Sequence, residues 1–254
     1  MELHYRIIGQ GPAVFIFHGL FGMSDNWQSF GRQLADKGYS VILADLRNHG
    51  HSGHAAPHNY ASMAADIIEL IRHIGSENPV LVGHSMGGKA VLKVLGTAPE
   101  LVGKAIVVDI APWSYAVLHE ELTSKLLALD LQQVRTRGAA EQQLALSIKD
   151  TSTRQFLLKN LFWKEVDQLA WRFNLQLLHD EIGEVGKDVW PAEPVNTPVL
   201  FVKGALSAYI DPFRMNEILK SYPAATLVEV PHAGHWVHAE QPAILLEEIL
   251  QWMG

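Results

Sequence analysis

Short runs of β-favouring apolar residues alternate along this chain with stretches whose apolar positions repeat at helical spacing. The runs are Ala13 to Phe17, Tyr39 to Ala44, Pro79 to Val82 and Ala105 to Asp109, followed later by Pro198 to Val202 and Thr226 to Val230. Between them, Trp27, Phe30 and Leu34 fall on one stripe after Ser24-Asp25-Asn26, whose side chains suit a helix N-cap, and Gly38 closes the pattern. Met63, Ile67, Leu70 and Ile74 form a second stripe, and further helical patterns run near Arg214 to Leu219 and Ala243 to Trp252. This alternation predicts an α/β fold with a largely parallel sheet, and Leu3 to Ile8 reads as an edge strand ahead of the series.

The interval from Asp109 to Pro198 is far longer than one crossover requires. It reads as several helices, around Glu120 to Leu129, Ala139 to Ile148, Thr153 to Asn160 and Phe173 to Asp180, punctuated by Gly138, Asp150 and the Pro191/Pro194 pair. The expected organisation is a core of residues 1–111 and 195–254, with a helical lid of residues 112–194 inserted over the carboxyl edge of the sheet.

Composition narrows the partners. A chain of 254 residues with 48% hydrophobic and 19% charged residues is ordinary for a folded enzyme. Its formal net charge of -7 disfavours a nucleic-acid footprint, which needs clustered Lys and Arg. There is no cysteine, so disulfides, thiolate metal sites and a cysteine nucleophile are excluded. The start, Met-Glu-Leu-His-Tyr-Arg, carries charge where a signal peptide needs its apolar stretch, and no apolar run reaches membrane-spanning length. A cytoplasmic protein without a membrane span is expected.

Candidate chemistry begins at Leu81-Val82-Gly83-His84-Ser85-Met86-Gly87-Gly88. An apolar strand, a Gly-x-Ser-x-Gly turn and a helix-compatible run follow one another, which is the context in which such a serine is presented as a nucleophile. Acyl transfer also needs donors for the developing oxyanion. Phe17-His18-Gly19-Leu20-Phe21-Gly22 follows the strand expected beside the nucleophile strand, so the Leu20 and Met86 backbone amides are the candidates, with the His18 side chain pinning the loop.

Of thirteen histidines, His235 in Ala233-Gly234-His235-Trp236 follows the last expected strand and precedes the final helix, as the chain order of serine first and histidine last requires. His232 and His238 are its neighbours and competitors, read as a loop residue and a structural contact. The acid is less direct. The loop Lys203 to Asp211 has Ser207 where a carboxylate is usual, and Asp211 suits a cap before Pro212. Asp109 closes an apolar strand at the sheet edge and needs a partner, so it is favoured over Asp211, with Ser207 as hydrogen-bonding support.

The chain resembles the α/β-hydrolase superfamily from end to end. His18-Gly19-Leu20-Phe21-Gly22, Arg47-Asn48-His49-Gly50, Gly83 to Lys89, Asp109-Ile110-Ala111-Pro112, Trp171-Arg172-Phe173-Asn174 and Gly234-His235-Trp236-Val237-His238-Ala239-Glu240 look like the bacterial YbfF-type esterases. That resemblance implies a helical lid between the sixth and seventh strands, hydrolysis of carboxylic esters and fatty acyl-CoA thioesters, and an acid at the position of Asp109. It also implies a serine at the position of Ser207.

Other signals carry less. His49, His51, His54 and His58 crowd one loop, but neither a nearby carboxylate nor a second cluster completes a metal site. No Gly-rich phosphate cradle is present, so neither a metal nor a nucleotide cofactor is expected. Trp113, Phe156, Phe162, Trp163, Trp171 and Phe173 either line an acyl pocket or pack helix on helix. Arg135, Arg137, Lys149, Arg154, Lys159 and Lys164 outnumber Glu141 and Asp150 in the middle of the lid, a place that could steer a phosphate-bearing acyl-CoA or simply face solvent. The expected partner is a small acyl ester or thioester. The rival readings are hydrolysis of an activated carbon-carbon bond and a ligand sensor built on the same fold.

Overall fold

The computed structural model describes residues 1–116, 119–166 and 168–254. In chain order its strands are β1 (Tyr5–Ile8), β2 (Ala13–Phe17), β3 (Ser40–Ala44), β4 (Val80–His84), β5 (Lys104–Val108), β6 (Leu161–Glu165), β7 (Gln168–Trp171), β8 (Val199–Gly204) and β9 (Ala225–Val230). Seven of them form one sheet in the order β1-β3-β2-β4-β5-β8-β9. All its pairings are parallel except that of β1 with β3, so the first strand is an antiparallel edge.

The helices are α1 (Gln28–Ala35), α2 (Tyr60–Ile74), α3 (Met86–Leu95), α4 (Glu120–Leu127), α5 (Arg137–Ser147), α6 (Thr151–Leu158), α7 (Leu175–Asp180), α8 (Ile182–Gly186), α9 (Met215–Ser221), α10 (Val237–Glu240) and α11 (Pro242–Met253). Successive strand residues point to opposite faces. Phe15, Phe17, Ile42, Leu81 and Val107 pack with α2 and α3 residues such as Ile67, Ile71, Val91 and Leu95. Val14, Ile16, Val41, Leu43 and Ile106 pack on the other face with Phe30 and Leu34 of α1 and Leu245 and Ile249 of α11. Burial on both faces explains why the inner strands read as continuous apolar runs.

The first helix departs from the expected cap. Ser24–Trp27 is a 3-10 turn leading into α1, and Asn26 accepts from the Met23 amide at 2.8 Å. Ser24 and Asp25 are taken by tertiary partners: Arg6 donates to both, and the Ser24 amide donates to Asp45 at 2.6 Å. Competition from those partners displaces the simple N-cap.

The segment between β5 and β8 has its own core, in which Leu126, Leu144, Leu157, Leu161, Leu169 and Leu178 surround Phe21 from the loop after β2. Two expectations change here. The segment is not all helical, because β6 and β7 form an antiparallel hairpin. Counted in this chain, its flanking strands are the fifth and sixth of the main sheet among the described residues. No helix among the described residues is long and apolar enough to cross a membrane. The loops after β2, β4, β5, β8 and β9 all leave the carboxyl edge of the sheet, where α/β folds build their sites.

Candidate active site

Ser85 stands where β4 hands over to α3, at φ 53° and ψ −120°. L-residues seldom occupy this region, so the surrounding packing must hold the turn against strain. Two glycines make room. A Cβ on Gly83 would run into the Gly87 carbonyl, and one on Gly87 would come within 2.6 Å of the His18 carbonyl oxygen. The Ser85 amide donates to the Val108 carbonyl at 3.0 Å and its carbonyl accepts from the Lys89 amide at 3.1 Å, which ties the turn to β5 and α3. The serine is left at the amino end of α3, where the helix dipole favours negative charge.

His235 lies in the loop after β9, with Nε2 3.1 Å from Ser85 Oγ and Nδ1 2.8 Å from Oδ2 of Asp109. Asp109 follows β5 and is fully buried, where a carboxylate needs donors. It has three: the His235 imidazole, the Gly204 amide at 3.0 Å and the Ser207 hydroxyl at 2.5 Å. With Nδ1–H donated to Asp109, Nε2 turns its lone pair to Ser85, the tautomer that proton abstraction requires. The loop is braced beside the imidazole. Glu240 accepts the Gly234 and Trp236 amides at 2.7 and 3.2 Å, and His84 Nε2 donates to the His235 carbonyl at 2.8 Å.

The other candidates fall elsewhere. Asp211 accepts from the Phe213 amide at 3.0 Å and caps the 3-10 turn Pro212–Arg214, while the imidazole goes to Asp109. His232 is exposed on its loop. His238 stacks on Trp27 with centroids 4.1 Å apart, and burial pushes its pKa down to about 3.

The loop after β2 is fastened in a way that leaves one amide over. Leu46 donates its amide to His18 Nε2 at 3.0 Å, so His18 carries its proton on Nδ1 and donates it to the Gly19 carbonyl at 2.8 Å. Gly22 donates to the same carbonyl at 2.9 Å. Phe21, at φ 58°, is held at both ends: its amide donates to His49 Nε2 at 3.1 Å and its carbonyl accepts from Asn160 Nδ2 at 2.8 Å. Burial lowers the pKa of both His18 and His49 and keeps them neutral, as these bonds demand. Among the described residues the Leu20 and Met86 amides find no protein acceptor, and both residues line the space around Ser85.

Two cavities share Ser85 and His119. One of about 140 Å³ is bounded by Leu20, Trp27, Leu122, Phe156 and Trp236, and one of about 40 Å³ by Met86, Ile110, Tyr115, Ile182 and Tyr209. A surface groove of about 850 Å³ between the N-terminus and α2 contains none of the groups around Ser85. Of the insert's aromatic residues, Phe156 lines the larger cavity, while Trp171 and Phe173 stack on one another and Phe173 packs on Phe21. Three of the basic residues there are tied to local backbone. Arg137 donates to the Leu161 carbonyl, Arg154 to those of Ile148 and Lys149, and Lys149 to those of Ala145 and Leu146.

The histidine-rich loop serves this scaffold. His49 holds Phe21, His58 Nδ1 meets the Asn48 carboxamide at 3.2 Å, and His54 meets the Arg172 carbonyl at 3.1 Å. No cluster of three or more His, Asp or Glu that could hold a metal occurs among the described residues. Sequence reasoning passed over His84, Asn160 and Tyr209. Only His84 left a signal, as the variable residue inside the Gly-x-Ser-x-Gly motif; the roles of the other two exist only once distant segments meet.

A family model described as the alpha/beta hydrolase fold matches residues 12–242. Esterase YbfF of Escherichia coli is 34% identical over 244 residues, covering 95% of this chain and 92% of the relative. The sn-1-specific diacylglycerol lipase ABHD11 of Mus musculus is 33% identical over 251 residues, covering 95% of this chain and 81% of the relative. Among solved structures, a marine microorganism esterase is similar at a TM-score of 0.95 and 38% identity, with 98% of each chain covered.

Proposed function

The chain belongs to the alpha/beta hydrolase fold family, and from that premise we propose that it is a serine esterase acting on short- to medium-chain carboxylic esters through an acyl-enzyme. The observation that carries the reading is the continuous line from Asp109 to His235 at 2.8 Å and from His235 to Ser85 at 3.1 Å. His235 takes the Ser85 proton as Oγ attacks the ester carbonyl. The Leu20 and Met86 amides receive the oxyanion, a contribution of about 3 kcal/mol per donor in hydrolases where one has been removed. The protonated imidazole then gives its proton to the departing alkoxide, and water, activated by the same nitrogen, releases the acid. Asp109 holds the imidazole tautomer throughout and Ser207 holds Asp109. This chemistry needs no cofactor.

Residues 112–194 act in this reading as a lid over a core of residues 1–111 and 195–254. Support comes from the insert's own contribution to the walls around Ser85, by His119, Leu122, Phe156 and Ile182. Two cavities that both have Ser85 in their walls suit an acyl group on one side of the scissile bond and a leaving group on the other. Their small volumes favour short and medium chains over long ones. Acyl-CoA thioesters are the second donor class this chemistry admits, and the lid cations left over from local backbone contacts are what would steer them. The relatives named an esterase and a lipase support acyl-ester hydrolysis as the class of reaction.

The test is turnover of nitrophenyl esters from acetate to decanoate, beside acyl-CoA thioesters of matched length. Turnover that peaks at short or medium chains and disappears in Ser85→Ala supports the proposal. Turnover that survives Ser85→Ala, or its absence from every ester, refutes it.

A further inference from the structure

We infer that Tyr115 and Tyr209 couple the base of the inserted segment to His235, with Tyr209 as a positioning residue for the imidazole; the inference rests on the serine-esterase reading above. The two ends of the insert are clasped together. Tyr115 donates its amide to the Gly186 carbonyl at 2.8 Å, and Val189 donates to the Pro112 carbonyl at 2.8 Å. Lys89 of α3 fastens that clasp to the helix carrying Ser85. Its Nζ donates to the Lys187 carbonyl at 2.6 Å and lies 4.6 Å from the centre of the Tyr115 ring.

From this clasp the Tyr115 hydroxyl reaches the site. It accepts from the Ala111 amide at 2.9 Å and donates to the Tyr209 carbonyl at 2.6 Å. The Tyr209 amide in turn donates to Ser207 Oγ at 3.2 Å, so the residue is held at both backbone ends. Its ring then lies against the His235 imidazole, centroids 4.1 Å apart and planes 23° from parallel.

The two hydrogen bonds of His235 fix its ring along the line from Nδ1 to Nε2, but a ring can still tilt about that line. A flat aromatic surface on its face restrains the tilt, and a general base must hold its geometry closely to keep its rate. The Tyr209 ring supplies the surface, and the Tyr115 hydroxyl sets where the ring stands. A shift of the insert's base is thereby a shift of His235.

The experiment compares the parent with Tyr209→Leu, Tyr209→Phe and Tyr115→Phe, using a short nitrophenyl ester and the nuclear magnetic resonance of the His235 ring protons. Tyr209→Leu should lower kcat by about tenfold or more and change kcat by more than KM, the KM share reflecting the place of Tyr209 in the wall of the smaller cavity. Tyr209→Phe should recover most of that loss. Both Tyr209→Leu and Tyr115→Phe should move the His235 ring protons away from the position that stacking imposes. Should Tyr209→Leu not fold, Tyr115→Phe, which removes a single hydroxyl, carries the test. Unchanged kcat and unchanged resonances in these variants overturn the inference, as does a loss confined to KM. An inactive parent sinks the esterase reading instead, while the resonances still report on the coupling.

Discussion

Asp109 reaches His235 across 126 positions of sequence, from the end of β5 on one side of the insert to the loop after β9 on the other. The carboxylate is fully buried, and Asp211, the nearer aspartate in sequence, spends its side chain on a cap. Asp109→Asn should therefore lower kcat by roughly 10³- to 10⁴-fold, the scale of losing the correct tautomer in a serine hydrolase. Asp211→Asn should cost about 1 kcal/mol of stability or less and leave kcat near the parent value. The opposite pattern in steady-state ester hydrolysis would move the acid to Asp211.

Ser207 donates to the same Asp109 oxygen that His235 uses. A hydrogen bond to a charged group contributes about 1.5–3 kcal/mol, so Ser207→Ala should reduce kcat by about tenfold, and Ser207→Thr should restore part of it. Equal rates for parent and alanine variant would reduce Ser207 to loop packing.

How much of this was legible beforehand differs residue by residue. Ser85 announced itself because a strand, a turn and a helix are contiguous in sequence. Asp109 could be favoured because an aspartate ending an apolar strand must find donors, and Asp211 read as a cap because Pro212 follows it. The hairpin β6–β7 was hidden, since Leu161-Phe162-Trp163 fits a short helix or a strand equally well. Asn160 and His49 were hidden for another reason: their task is to hold Phe21, a residue 139 positions away from Asn160 and 28 from His49. Tertiary partners of that kind leave no local pattern.

That grip on Phe21 is testable by itself. Asn160→Leu leaves the Phe21 carbonyl without its donor, costing about 1–3 kcal/mol of stability, and frees the loop that presents the Leu20 amide. A fall in kcat of about tenfold or more for nitrophenyl esters is expected alongside the lowered unfolding midpoint. A stability loss with unchanged kcat would show that Asn160 merely packs the insert.

Buried neutral histidines should make the fold acid-sensitive. Burial pushes His58 down from 6.5 to about 4 and His238 to about 3, and lowers His18, His49 and His84 as well. Between 6.5 and about 4 the unfolded chain therefore binds more protons than the folded one, so stability is present above that window and lost as pH falls through it. Denaturant midpoints measured from about pH 7.5 to about pH 4.5 should decline steadily, with a slope of more than one proton. A midpoint that is flat or rises over that range contradicts this.

The most direct test of the account is pre-steady-state release of nitrophenol from a short acyl ester by the parent and by Ser85→Ala, with mass spectrometry of the quenched protein. The predicted result is a burst equal to the enzyme concentration in the parent, an acyl group carried on the peptide containing Ser85, and neither in Ser85→Ala. Steady turnover without an acylated Ser85, or a burst that persists in Ser85→Ala, would contradict it.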